Sequence, residues 1–193
     1  MGKITLVEHV SLDGVMQAPA AADEDTRDGF ARGGWAVPGN DEVMGAELGK
    51  RMASGRALGG AQLFGRRTYE QFFGYWPEQT DGNPFTEALN QATKYVVSRT
   101  LREPLPWVNS VLVRDVADVA EIEEPLTVLG SGVLAQELMR RGLVDEWMLM
   151  THPLALGTGR RLFDGVEAEL RLVESVTTTT GVVIARYEKR EEA

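Results

Sequence analysis

Leu126-Thr-Val-Leu-Gly-Ser-Gly-Val-Leu-Ala-Gln-Glu-Leu-Met-Arg-Arg141 runs from a short apolar segment, through Gly130-Ser131-Gly132, into a helix that Gly142 ends. A strand that turns into a helix at a glycine pair is the building unit of α/β proteins. Working outward, the alternation recurs on both sides. Residues 3–10 are β-branched and apolar at both parities, which predicts a strand buried on both faces. Residues 41–54 predict a helix with Met44, Leu48 and Met52 at i, i+4 and i+8, stopped by Gly55. A strand at 57–64, a helix at 68–76 ended by Pro77, a short helix at 85–91 and strands at 94–98 and 110–113 follow. Downstream lie a strand at 145–152, an irregular stretch at 153–165, and strands at 170–178 and 182–188 around Thr180-Gly181, which read as an antiparallel hairpin. The pattern predicts an α/β fold, a three-layer α-β-α sandwich whose mostly parallel sheet ends in that hairpin. No repeat or boundary interrupts it, so 1–193 reads as one domain. Residues 14–38 form a polar, Ala-rich loop of a length that is usually functional or mobile.

Composition narrows the functions open to such a fold. The 193 residues are 43% apolar, enough for a real core, which excludes a disordered or disulfide-stapled chain. With no Cys there is no thiolate nucleophile or zinc site, and two His, His9 and His152, leave no basis for a metal centre. A formal charge of −9 disfavours a phosphate backbone, so no nucleic-acid partner is expected. The first apolar run, closed by Glu8 and His9, is too short for a signal peptide or a membrane span. The expectation is a soluble, cytoplasmic protein with a small-molecule ligand.

Three strand-to-helix or strand-to-loop turns carry phosphate chemistry. In the first, Gly130 and Gly132 let backbone approach a ligand, and the following helix offers its positive N-terminus to an anion. The second is Gly65-Arg66-Arg67-Thr68, two cations and a hydroxyl at a helix start. The third is Ser98-Arg99-Thr100, where a guanidinium between hydroxyls suits a phosphate monoester. Each has an ordinary reading as a capped turn. Together they would line one edge of an open α/β sheet. The spacing is not that of the Rossmann fingerprint, which needs a third Gly.

With Val7-Glu-His-Val-Ser-Leu-Asp-Gly14, Gly65-Arg-Arg-Thr-Tyr-Glu70, Val97-Ser-Arg99, the Gly130-Ser-Gly132 turn, Leu143-Val-Asp-Glu-Trp147 and Gly157-Thr-Gly-Arg-Arg-Leu-Phe163, the chain resembles the dihydrofolate reductase superfamily. The closer branch contains the reductase domain of riboflavin biosynthesis, the RibD C-terminal domain. The resemblance implies a sheet of about eight strands and NADPH as hydride donor. It implies contacts of Gly65, Arg66 and Thr68 with cofactor phosphate and ribose, and of Ser98 and Arg99 with the 2′-phosphate. By the same resemblance Leu129, Gly130, Ser131, Gly132, Val133 and Leu134 wrap the pyrophosphate and reach the nicotinamide. Val7 and His9 would line the nicotinamide and substrate side, Asp13 would begin a mobile loop, and Thr151 matches a substrate-side hydroxyl. The branch also implies a homodimer.

Two departures from the folate reductases stand out. Their helical proton-handling acid has only Glu47 as a counterpart, and Glu47 lies i, i+4 from Arg51, the spacing of a plain ion pair. The deaminase fused to the riboflavin reductase has no counterpart, since no His/Cys zinc cluster exists. His9 is either a packed core histidine or a proton donor near neutral pH, and Trp35 either packs or covers a substrate. The expected activity is NADPH-dependent hydride transfer to a small heterocycle or a C=N or C=O bond. Its rivals are reduction of a riboflavin precursor or of dihydrofolate, and a non-catalytic nucleotide sensor.

Overall fold

The computed structural model describes residues 1–53 and 60–190. Its first strand, β1 (Ile4–Ser11), shows why both parities are apolar. Ile4, Leu6 and Val10 pack into one core cluster, while Val7 joins a second on the other face with Met44, Met148 and Met150. Each such side chain, fully buried, contributes on the order of 1.5–3 kcal/mol. The remaining elements are α1 (Glu42–Ala53), β2 (Ala61–Gly65), α2 (Arg66–Phe73), α3 (Pro84–Gln91), β3 (Lys94–Val97), β4 (Ser110–Val113), β5 (Leu126–Leu129), α4 (Gly132–Arg140), β6 (Glu146–His152), β7 (Leu170–Thr177) and β8 (Val183–Lys189).

The eight strands form one sheet in the order β4-β3-β2-β5-β1-β6-β8-β7. Strands β4 to β6 are parallel, and β8 and β7 complete the edge as an antiparallel hairpin. This is the expected α/β sandwich. From β1 the chain crosses outward to β2, whereas from β5 it crosses back past β1 to β6. Right-handed crossovers therefore put α1 and α4 on opposite faces and leave a crevice beyond the C-terminal ends of β1 and β5.

Several boundaries move from their expected places. The helix expected at 68–76 starts at Arg66 and ends at Phe73; Gly74 caps it, and Trp76–Glu78 makes a separate 3-10 turn. A 3-10 helix at Val116–Glu121 was not anticipated, although Asp115 and Asp118 form its capping box. The stop at Gly55 and the strand start at residue 57 lie outside the described residues, and β2 is seen from Ala61. The long loop is packed: Val15, Ala18, Phe30, Trp35, Ala36 and Leu156 make a small core of their own. Among the described residues no helix is long and apolar enough to cross a membrane.

Candidate active site

A cavity of about 1220 Å³ opens in the crevice. Its floor is the end of β1 and β5 (Val7, Glu8, His9, Leu129), with Met44 and Leu48 of α1 on one side and Gly130 to Val133 on the other. The long loop supplies the rim, through Met16, Gln17 and Glu24 among others. Gln17 pins this rim: its amide donates to the carbonyls of Asp25 and Arg27 (3.1 Å each) and accepts the Arg160 N–H at 3.0 Å. Gln71 of α2 closes it from the far side by donating to the Glu24 carbonyl.

The two glycine turns interlock. The Gly65 N–H donates to the Ser131 hydroxyl at 3.0 Å, and the Ser131 N–H donates to the Thr68 hydroxyl at 3.1 Å. Ser131 reaches this position in the left-handed region, at φ 58°. Gly65, which precedes α2, has no side chain to cap it, and the Ser131 hydroxyl makes no capping bond into α4. The first-turn N–H groups of both helices are thus left for an external acceptor. Arg67 lines the cavity beside them and has no ion-pair partner among the described residues.

Of the cofactor positions the resemblance implied, Thr68, Leu129, Gly130, Ser131, Gly132 and Val133 line the cavity, whereas Gly65, Arg66, Ser98, Arg99 and Leu134 do not. Leu134 is core, packed under the sheet. Ser98 is buried, and its hydroxyl accepts the N–H groups of Thr100 (3.2 Å) and Leu101 (3.1 Å), so it shapes a turn. Arg66 bridges Glu70 and the Thr100 hydroxyl, both at 2.8 Å, on the open surface beyond the cavity. Arg99 lies in that same region, 80% exposed and paired at 2.9 Å with Asp115.

The substrate-side residues divide in the same way. Val7 and His9 line the cavity, but Asp13, Trp35, Glu47 and Thr151 do not. The Asp13 carboxylate accepts from the Ser11 hydroxyl (2.7 Å) and from the N–H groups of Leu156 (3.0 Å) and Gly157 (2.8 Å). Those bonds, the Ser11 hydroxyl first, hold its pKa well below the usual range. Asp13 is therefore a clasp between two loops. Trp35 donates its indole N–H to the Gln17 carbonyl at 2.7 Å and turns its edge to His152, which excludes the covering role. Thr151 pairs with Val10 and Val183 in the sheet, and its neighbour Met150 reaches the cavity instead. Glu47 is held by Arg51 at 2.9 Å and Lys50 at 3.5 Å, and Arg51 also reaches Glu174 of β7. The helix face that does meet the cavity carries Met44, Gly45, Leu48, Gly49 and Met52.

His9 and His152 face each other, Nδ1 to Nε2, at 2.8 Å. One imidazole must accept from the other, so the accepting ring is neutral. Burial, then the neighbouring His152, lowers the His9 pKa to about 3. His9 is therefore neutral, not an imidazolium acid, at neutral pH, contrary to its reading as a proton donor there. Of the acids that line the cavity (Glu8, Glu24, Asp25, Asp41 and Glu70), Glu8 is the one on the strand floor. It is 4% exposed, its Oε2 has no hydrogen-bond partner among the described residues, and burial followed by the charge of Glu24 raises its pKa well above the ordinary value. The signal for it was a lone acid inside an apolar strand.

Residues 2–184 match the family described as RibD C-terminal domain. The uncharacterized protein YyaP of Bacillus subtilis (strain 168) is 29% identical over 134 residues, which is 65% of this chain and 71% of that protein. Among solved structures, a "putative riboflavin biosynthesis protein" of Shewanella sp. PV-4 superposes with a TM-score of 0.64 at 20% identity, over 98% of this chain and 99% of the other. A pyrimidine reductase-like protein of Corynebacterium diphtheriae gives 0.65 at 14% identity, over 99% and 93%. These two share the fold, and the match across nearly the whole sequence shows that the chain belongs to the RibD C-terminal domain family.

Proposed function

We propose that the protein is an NADPH-dependent reductase acting on a small metabolite, a heterocycle or a compound with a C=N or C=O bond. The observation that carries this reading is the pair of interlocked turns, which brings two open helix N-termini and the Arg67 guanidinium to one crevice. Those groups would hold a pyrophosphate. Arg99 and Arg66, on the surface just outside, would take the extra phosphate of NADPH. When bound, the reduced nicotinamide supplies the hydride. The chain's own part is to orient the reacting ring against Val7 and Leu129 and to exclude water with Met44, Leu48 and Met150. Family membership and the reductase-like name of one structural relative support the same reading.

Isothermal calorimetry with NADPH and NADH tests it: saturable binding with NADPH tighter is expected, and no binding of either rejects the reading. Consumption of NADPH with an acceptor then separates the enzyme from the non-catalytic sensor. A cytoplasmic homodimer is part of the proposal, and light scattering should give about twice the 21.2 kDa of one chain.

A further inference from the structure

Glu8 lies on the cavity floor, and its Oε2 has no hydrogen-bond partner among the described residues. It has the parity of Ile4, Leu6 and Val10, whose apolar side chains pack with those of α4. No cation pairs with it among the described residues, and its Oε2 is unpartnered. The rim amide of Gln17 offers it no donor, because both of its N–H groups are already bonded to the Asp25 and Arg27 carbonyls. The charged neighbour that acts on it is another acid, Glu24, itself anchored by the N–H groups of Ala20 (2.7 Å) and Ala21 (3.3 Å). A bare carboxylate so placed would lose its hydration without compensation, so the group keeps its proton. A neutral carboxyl offers one O–H donor and one carbonyl acceptor side by side. That arrangement is complementary to an amide edge, in which a C=O accepts and the adjacent N–H donates.

We propose that the Glu8 carboxyl is the docking point for an amide edge, an N–H beside a C=O, on a ring that enters the cavity. This rests on the reductase reading above for what the ring is. Two sources share the chemistry: the carboxamide of the nicotinamide, and a lactam edge of a pyrimidine-type substrate. Position favours the first. Val7 is paired with Leu129 at the end of β5, and the Gly130 N–H reaches the Val7 carbonyl at 3.4 Å. Glu8 therefore stands next to the turn proposed to hold the pyrophosphate. An amide edge makes two hydrogen bonds there in place of an orphaned buried oxygen.

The test uses the full chain and two variants. Glu8→Gln keeps an acceptor beside a donor, whereas Glu8→Leu removes both at similar volume and leaves no buried polar atom to disturb folding. Calorimetry compares NADPH, the same dinucleotide lacking its nicotinamide ring, and uracil added to NADPH-saturated protein. If the carboxamide docks, Glu8→Leu weakens NADPH roughly tenfold or more, leaves the ring-free dinucleotide unchanged, and Glu8→Gln stays near the parent. If the lactam docks, Glu8→Leu spares both dinucleotides and loses uracil, again with rescue by Gln. Infrared spectra should show a protonated carboxyl in the parent at neutral pH that is missing from Glu8→Gln. Parent-like binding of both NADPH and uracil by Glu8→Leu, a Gln variant as weak as Leu, or an ionised Glu8 in the infrared overturns the proposal. Failure of the parent to bind any dinucleotide rejects the reductase reading instead. Uracil bound to the free protein through Glu8 would then leave this inference standing, and its absence as well would overturn both.

Discussion

The two walls of the cavity are made of different material. The wall formed by the β2–α2 and β5–α4 turns is largely backbone: open helix N-termini, a left-handed Ser131 and glycines beside it. The wall formed by β1, α1 and β6 is side chain: Glu8, the His9–His152 pair, Met44 and Met150. Backbone polarity is fixed wherever a strand turns into a helix, so the first wall has its chemistry before tertiary packing refines it. A side chain's chemistry depends on what packs around it. Glu8 and Glu47 are the same residue type on opposite faces of the sheet. Burial next to Glu24 raises the Glu8 pKa well above the ordinary carboxyl value, while Arg51 and Lys50 occupy Glu47.

The largest effect this contrast predicts concerns dihydrofolate. With Glu47 turned away into ion pairs and His9 neutral, the side-chain wall lacks the helical acid that folate reductases use. Dihydrofolate turnover should fall far below the ordinary enzyme range, with kcat/KM well under roughly 10⁴ M⁻¹s⁻¹. A value in that range that collapses in Glu47→Gln would break the distinction between the two glutamates.

The backbone wall predicts the next effect. Arg67→Ala should weaken NADPH and NADH alike, because it removes a cation from the pyrophosphate. Arg99→Ala should weaken NADPH alone and erase its advantage over NADH. Each loss should be about 1.5–3 kcal/mol, read as the ratio of dissociation constants. An Arg67 variant that discriminates between the cofactors would show that the two arginines are assigned the wrong way round.

Stability separates the walls further. Ser131→Ala leaves the Gly65 N–H without its acceptor, which should cost about 1–3 kcal/mol in denaturant unfolding. On the side-chain wall the effect is one of pH. His9 has a pKa lowered from 6.5 to about 3, so below pH 6.5 the unfolded chain binds a proton that the folded one refuses. Folding stability is then full above pH 6.5 and falls as pH drops toward 3. His9→Gln should flatten that acid limb; an unchanged limb would mean that the histidine pair is not held neutral. The smallest effect is Glu47→Gln: the side chains of Glu47 and Arg51 are only 13% and 10% exposed, yet the amide oxygen still accepts from Arg51 and Glu174 keeps that charge paired, so about 1 kcal/mol of stability should be lost, with dinucleotide binding intact.

The same contrast explains what could be read in the sequence. Strand and helix order was legible because β-branched runs end at glycines and prolines, and the interlocked turns were legible because Gly65, Thr68 and Gly130 to Gly132 are local signals. Ser98, Asp13 and Trp35 were singled out correctly as unusual residues but with the wrong partners. Ser98 turns back onto its own loop, and Asp13 and Trp35 are satisfied by Leu156, Gly157 and Gln17. Nothing in their neighbouring residues announces those contacts. Arg66 and Arg67 are adjacent, and only the start of α2 decides which one faces the cavity. Glu8 was passed over in favour of His9, since an acid in an apolar strand acquires meaning only when no cation stands opposite.

A crystal structure of the protein soaked with NADPH tests the central claim most directly. The account predicts the pyrophosphate within hydrogen-bond distance of the N–H groups at Gly132 and Val133 and beside Arg67, with the nicotinamide over the ends of β1 and β5. A dinucleotide bound elsewhere on the molecule, or a crevice left empty at saturating NADPH, would contradict it.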